Sequence, residues 1–324
     1  MPRTVLPDPR VSPRFAGVST FCRYPLLELV PPQSRPLDWA VYGAPFDSGV
    51  TYRPGARFGP RAIRDASQYI KRFHIEHGVD VCDTLSLCDA GDAPVKPYGL
   101  KETLDGITAW AAKLADPATK LLAVGGDHSI AYANIKATWL RRGSPKGGLA
   151  LLHFDSHLDT VDAVWGEKWG HASVFRRAIE DGLVDPSRML SVGIKGPLNS
   201  AADLDYARQH KITVMSAEQW HRSIREGTRE VESFVKGLNG AETYVTFDID
   251  VVDPAFAPGT GTPSIGGLTS AEVLRLLHSL KGANIVGADV VEVLPDRDVA
   301  GITALLAAQV IFEVLALDAV QKGI

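Results

Sequence analysis

The sequence predicts an α/β fold on a parallel sheet covered by helices on both faces. Three observations carry this. Short, unbroken apolar runs recur along the chain, helical stretches lie between them, and ionisable residues collect just after several of the runs. A strand buried on both faces is apolar throughout, and alternation with helices gives parallel pairing. Ligands of such sheets bind beyond the carboxyl ends of the strands. The 324 residues, 45% of them hydrophobic, suffice for one large domain.

The expected strands are LDWAVYGAPF at 37–46, KLLAVGG at 120–126, GGLALLHFD at 147–155, RMLSVGI at 188–194, KITVM at 211–215, ETYVTFDID at 242–250 and NIVGADVVEV at 284–293. The expected helices are 100–116, 129–142, 171–182, 217–227 and 270–280, the last opened by the capping box Thr269-Ser270-Ala271-Glu272. The greasiest segment, 302–320, carries Gln309, Glu313 and Asp318. Acids within one span argue against a membrane helix and for a buried C-terminal one.

Bulk properties narrow the function. The net charge is only −4 and no Lys/Arg block occurs, so the footprint of nucleic-acid binding is missing. Residues 1–15 hold no apolar core of a secretory signal. Cys22, Cys82 and Cys88 form no CxxC pair and fit packing roles in a reducing compartment. The expectation is a cytoplasmic protein without membrane or nucleic-acid partners.

Four strand ends carry an unusual load: Gly125-Gly126-Asp127-His128-Ser129, His153-Phe154-Asp155-Ser156-His157-Leu158-Asp159, Phe247-Asp248-Ile249-Asp250, and Glu292. Asp127 or Ser129 alone would serve as a helix cap. Two carboxylates one residue apart on a strand share a face and repel. Burying unpaired charge costs several kcal/mol, roughly, so a cation is expected among these groups. Imidazole with carboxylate and without thiolate suits Mn, Ni, Zn or Co. Two such ions about 3.5–4 Å apart share a water and lower its pKa.

With GGDHS, HFDSHLD, TFDIDVVDPAFAPGTGTP and Glu292 in this order, the chain resembles the ureohydrolase family of arginases and agmatinases. PFDSGVTYRPGARFGPRAIR, FRRAIEDGLVDP and ITALLAA are similar to the agmatinase branch. The resemblance implies a three-layer α/β/α sandwich, arginase-like, as a single domain over 1–324, with 1–35 as an extension packing near the active-site entrance. It implies two divalent ions, manganese foremost and nickel second. His128, Asp155, Asp159 and Asp248 would hold one, and His157, Asp155, Asp248 and Asp250 the other, with Asp155 and Asp248 bridging. Hydrolysis of a guanidino group to urea and an amine follows, with Asp155 in the catalytic set. His171 would carry protons and Glu292 would pair with the planar guanidinium, a fit for bidentate hydrogen bonding. Trimers or hexamers are implied.

The tail pocket departs from agmatinases: Ala172 stands after His171 where glycine is usual, Lys195 where arginine is usual, and Asn199 where an aromatic is usual. Trp165 and Arg23 are candidate substrate contacts, Trp169 and Tyr24 further pocket walls. No acidic partner for an agmatine ammonium stands out. His153 is expected to be structural and hydrogen-bonded, Asp253 to form a turn, and His74, His77, His210, His221 and His278 to be surface or packing residues. Arg53, Arg57, Lys195 and Asp298 are open between structural and pocket roles. Alternatives to agmatine are guanidinobutyrate, guanidinopropionate, guanidine or a biguanide such as metformin. A non-catalytic partner subunit of a hetero-oligomer is the alternative of another class.

Overall fold

The computed structural model describes residues 3–323. Its strands are β1 (Trp39–Gly43), the short pair β2 (Phe73–His74) and β3 (Val79–Asp80), β4 (Leu87–Asp92), β5 (Lys120–Val124), β6 (Leu149–Phe154), β7 (Val184–Ile194), β8 (Thr213–Ser216), β9 (Glu242–Asp248) and β10 (Asn284–Val291). Eight of them form one sheet in the order β4-β1-β5-β10-β9-β6-β7-β8. Every pairing in it is parallel. β2 and β3 form a separate antiparallel hairpin.

The helices are α1 (Gly59–Ser67), α2 (Val81–Thr84), α3 (Leu100–Ala111), α4 (Ile130–Arg141), α5 (Val174–Glu180), α6 (Asp205–Gln209), α7 (Ala217–Arg222), α8 (Ile224–Gly237), α9 (Ser270–His278) and α10 (Ile302–Lys322). Period-2 alternation sends Trp39, Val41, Leu122, Val124, Leu152 and Phe154 into one core, shared with α1, α8, α9 and α10. Ala40, Tyr42, Leu121, Ala123, Leu149 and Leu151 enter a second core, shared with α3, α4 and α5. The architecture is the expected three-layer sandwich on a parallel sheet. Each large apolar side chain taken wholly from water adds about 1.5–3 kcal/mol.

α9 begins at the foreseen capping box, with Thr269 and Glu272 bonded reciprocally. α10 is long and apolar enough to cross a membrane, yet most of it is buried within the domain. Its acids are satisfied: Asp318 accepts from Trp39 Nε1 at 2.8 Å and Lys120 Nζ at 2.6 Å. The expected 217–227 helix is two helices, and the second runs on to Gly237. α1, α2, α6, β4 and the hairpin add to the expected set.

The N-terminal extension is tied to the domain by hydrogen bonds. The Thr4 amide donates to Cys82 O at 2.8 Å, and Arg14 Nη1 to Gln68 O at 2.9 Å and Ile70 O at 3.1 Å. The Phe21 amide donates to Asp89 Oδ2 at 2.9 Å. Residues 3–35 thus run over α1, α2 and the β4 edge. The three cysteines are free and buried, and burial pushes each thiol up to about 12.

Candidate metal centre

The strand order brings the four ionisable strand ends together. β5, β10, β9 and β6 are neighbours in the middle of the sheet. The turn after β5 needs left-handed backbone at Gly125 (φ 72°) and Gly126 (φ 83°). A Cβ on Gly126 would stand 2.4 Å from Ala44 O and 2.7 Å from Phe46 O. Asp127 then anchors the turn, with Oδ1 accepting from the Ser129 amide at 2.9 Å and Oδ2 from the Gly49 amide at 2.7 Å. Its carboxylate thus braces the turn ahead of α4, whose own N-cap residue Ser129 makes no side-chain cap bond. Burial, and then the Glu292 charge, push the Asp127 carboxyl up to about 6.

His128 points into a pit of carboxylates. Its Nδ1 lies 3.0 Å from Asp155 Oδ2, 3.1 Å from Asp159 Oδ2 and 3.2 Å from Asp248 Oδ2. Nδ1 is nevertheless buried with no hydrogen bond among the described residues. A hydrogen-bond chain behind the ring explains this. Tyr42 Oη donates to Asn134 Oδ1, Asn134 Nδ2 to Tyr244 Oη, and Tyr244 Oη to Asp289 Oδ2, at 2.8, 2.6 and 2.6 Å. Thr246 Oγ1 donates to Asp289 Oδ1 at 2.6 Å, so it accepts the proton of His128 Nε2 at 2.8 Å. That fixes the neutral tautomer with a bare lone pair on Nδ1, as a metal-facing imidazole needs.

A second group shares Asp155. His157 Nδ1 lies 3.4 Å from Asp155 Oδ1 and 3.2 Å from Asp250 Oδ2. Asp155 therefore presents one oxygen to each group. An ion with bonds of about 2.1 Å sets neighbouring donors about 3.0–3.4 Å apart, the spacing of both groups. The carboxylates are held for this: Ser156 Oγ donates to Asp250 Oδ1 at 2.7 Å, and Asp248 Oδ1 accepts the Asp250 amide at 2.8 Å. Burial, with the charges of Asp250 and Asp155, pushes Asp248 well above the usual carboxylate range. Burial and the Asp155 charge raise Asp159 too. Cations would relieve that repulsion, so the donor set fits two divalent ions. Asp248 Oδ2 is brought to the His128 group, while its Oδ1 accepts the Asp250 amide and keeps a second lone pair. His153 Nδ1 meets Ser191 Oγ and its Nε2 meets Asp155 Oδ2, both at 2.9 Å, in the structural role expected of it.

Glu292, at φ 65°, follows β10 and faces this turn. Its Oε1 accepts from the His128 amide at 2.9 Å and from His171 Nδ1 at 2.8 Å. Its Oε2 is buried and has no partner among the described residues. The Thr51 amide donates to His171 Nε2 at 3.0 Å, a contact that favours the neutral ring. Burial does likewise, but the Glu292 charge and hydrogen bond prevail and raise the ring to about 9. Sequence reasoning missed Thr51 and Thr246, which lie inside quoted motifs but have no ionisable side chain, and Asp289, which sits within an apolar strand.

A cleft of about 370 Å³ opens over the pit, lined by His157, Asp159, His171 and Asp248 below and by Leu158, Val161, Val164, Ala172, Leu198, Asn199 and Asp203 around the walls. Arg23 is not a wall of it: its Nη2 donates to Ser12 O at 3.0 Å, within the N-terminal extension. Tyr24 is buried away from the cleft walls as well. Trp165 is exposed and lines an adjoining recess with Thr51, Val164 and Ala172. Trp169 turns to Tyr132, with ring centroids 5.0 Å apart, and lies under Lys101. Three of the open residues make structural contacts. Arg57 pairs with Asp47, Lys195 Nζ donates to Asp250 O at 2.7 Å, and Asp298 accepts the Thr303 and Ala304 amides that start α10. Arg53 lies over the Tyr52 ring.

Comparison with known proteins agrees with this geometry. The arginase family matches residues 37–317. The guanidinopropionase of Pseudomonas aeruginosa is 42% identical, over 94% of this chain and 93% of its own. The mitochondrial agmatinase of Gallus gallus is 38% identical, over 96% and 88%. The structure of proclavaminate amidinohydrolase from Streptomyces clavuligerus superposes with a TM-score of 0.86 at 40% identity, covering 95% of this chain and 99% of that one. The matched stretch contains all four strand ends of the pit, and the chain belongs to the arginase family as a guanidino hydrolase.

Proposed function

We propose that the chain hydrolyses a guanidine whose tail ends in a cation, agmatine being the simplest. One observation carries this: Asp203 is the only ionisable side chain on the cleft walls above the pit, and no lysine or arginine lines them among the described residues. Apolar Leu158, Val161, Val164 and Leu198 suit the methylenes of such a tail. A carboxylate tail would meet no countercharge and would face Asp203.

His128, Asp155, Asp159 and Asp248 would hold one ion, and His157, Asp155, Asp248 and Asp250 the other. Manganese suits this oxygen-rich set, with nickel the alternative. When bound, the pair supplies a water acidified toward neutrality. The chain's own residues do the rest. Glu292 Oε2 accepts a guanidinium N–H, which gives its buried charge a partner. His171, hydrogen-bonded to Glu292, passes a proton to the leaving amine. The cleft walls exclude water from the tail. Resemblance to the family supports a homotrimer or hexamer.

The test is urea release by the Mn- or Ni-reconstituted enzyme from agmatine, guanidinobutyrate, guanidinopropionate and metformin. Agmatine is preferred, and Asp203→Asn raises its KM about tenfold with kcat little changed, the loss of roughly 1.4 kcal/mol of uniform binding. Preference for a carboxylate-tailed guanidine overturns the cationic tail. Preference for metformin transfers the pocket to the apolar second reading, which the aliphatic walls favour. No urea from any of them returns the chain to a partner-subunit role.

A further inference from the structure

The pit is not the only convergence of histidines. His74 in β2, His77 in the turn before β3, His278 at the end of α9 and Glu313 in α10 each offer a nitrogen or oxygen within 4.8 Å of the others. They lie on the helical face of α9 and α10. His278 closes the helix that leads into the start of β10, whereas the pit lies at the strand ends.

Glu313 is fixed from both sides. Gln309 Nε2 donates to its Oε1 at 2.7 Å. His74 Nδ1 accepts the His77 amide at 3.1 Å, so His74 Nε2 carries the proton and donates it to Glu313 Oε2 at 2.8 Å. His74 therefore has no lone pair left for a metal and acts on the carboxylate. His278 Nε2 stands 3.1 Å from the same oxygen, within the donor spacing of a bound ion.

His77 is the unexplained member. Its ring stacks on His74 at 4.3 Å and meets the edge of His278 at 4.8 Å. Its Nε2 is buried with no hydrogen-bond partner among the described residues. An ion pair of His278 and Glu313 does not need it. Bringing a His77 nitrogen to bonding range takes a ring movement of roughly 1.4 Å at most, from 4.8 Å to about 3.4 Å.

We propose that His77, His278 and Glu313 form a peripheral transition-metal site, separate from the pit and positioned by His74 and Gln309. Two imidazoles and one carboxylate suit Zn²⁺, Ni²⁺, Co²⁺ or Cu²⁺ and leave a coordination position for water. The ion adds a clip between the β2–β3 hairpin, α9 and α10, which the contacts of His74 and His278 with Glu313 already join.

The experiment uses the full-length enzyme, stripped with chelator and titrated with Zn²⁺ while bound metal per chain is counted. The wild type takes up one ion more than the pit holds. His77→Ala and His278→Ala each lose that one ion and keep urea release under saturating Mn²⁺ unchanged. Co²⁺ at this site adds a visible absorption band that the same variants lack. A wild type that saturates at the pit's two ions overturns the proposal whatever the variants do. So do variants, folded by their melting curves in chelator, that keep the full metal count.

Discussion

Asp155 and His128 are each made usable by residues that never touch substrate. Thr246 and Asp289 orient the proton on His128, and His153 bonds the oxygen that Asp155 offers to the same group. Thr246→Val removes the acceptor for His128 Nε2–H and leaves Asp289 short of a donor. Metal affinity at the pit falls about 10–100-fold, the size typical for lost outer-shell contacts. Competition against a chromogenic chelator measures it, and an unchanged affinity would refute the tautomer argument. The six pit ligands were legible because HFDSHLD and FDID place several donors within a few residues. Thr246 was not, because a threonine in YVTFD is an ordinary strand residue until β9 is seen beside β5 and β10. Asp203 was missed for another reason: Ser200-Ala201-Ala202-Asp203 reads as a helix-capping pattern, and its Oδ2 does accept the Ser200 amide at 3.1 Å, so only the folded cleft shows that it also lines the wall.

At the scale of elements, the turn from β5 to α4 has the least freedom. Gly126 approaches two carbonyl oxygens, from Ala44 and Phe46, in a backbone region that disfavours any side chain. Gly126→Ala destabilises the fold by about 1–3 kcal/mol or more, read from urea unfolding. It also displaces the His128 amide from Glu292 and so lowers activity beyond the loss of stability. A wild-type unfolding midpoint would overturn this reading. The apolar strands were legible from their unbroken runs. β4 was not, because LCDAGD mixes apolar residues with two aspartates and a glycine. The hairpin strands are two residues each, too short for any period to show.

For the whole molecule, the ions are structural as well as chemical. The buried carboxylates of the pit repel one another, so removing the ions weakens the folded state. Each ion present at a hundred times its dissociation constant adds about 2.7 kcal/mol. Melting in EDTA falls by several degrees and recovers with Mn²⁺; coincident curves, with metal loss confirmed, would show that the pit tolerates its own charge. Layering was legible, but the order of strands was not, since no local pattern says that β9 and β10 enter between β5 and β6.

That insertion constrains how the protein is made. A nascent chain that has emerged only through β8 holds β5 and β6 without the two strands that join them. Each then shows a bare inner edge, apolar and ready to pair with any neighbouring chain. The ligands at 128, 155, 157 and 159 already exist by then but have no common centre. Synthesis of everything from residue 242 onward closes the sheet and creates the pit in one event. Slow translation before that point therefore favours aggregation through those edges.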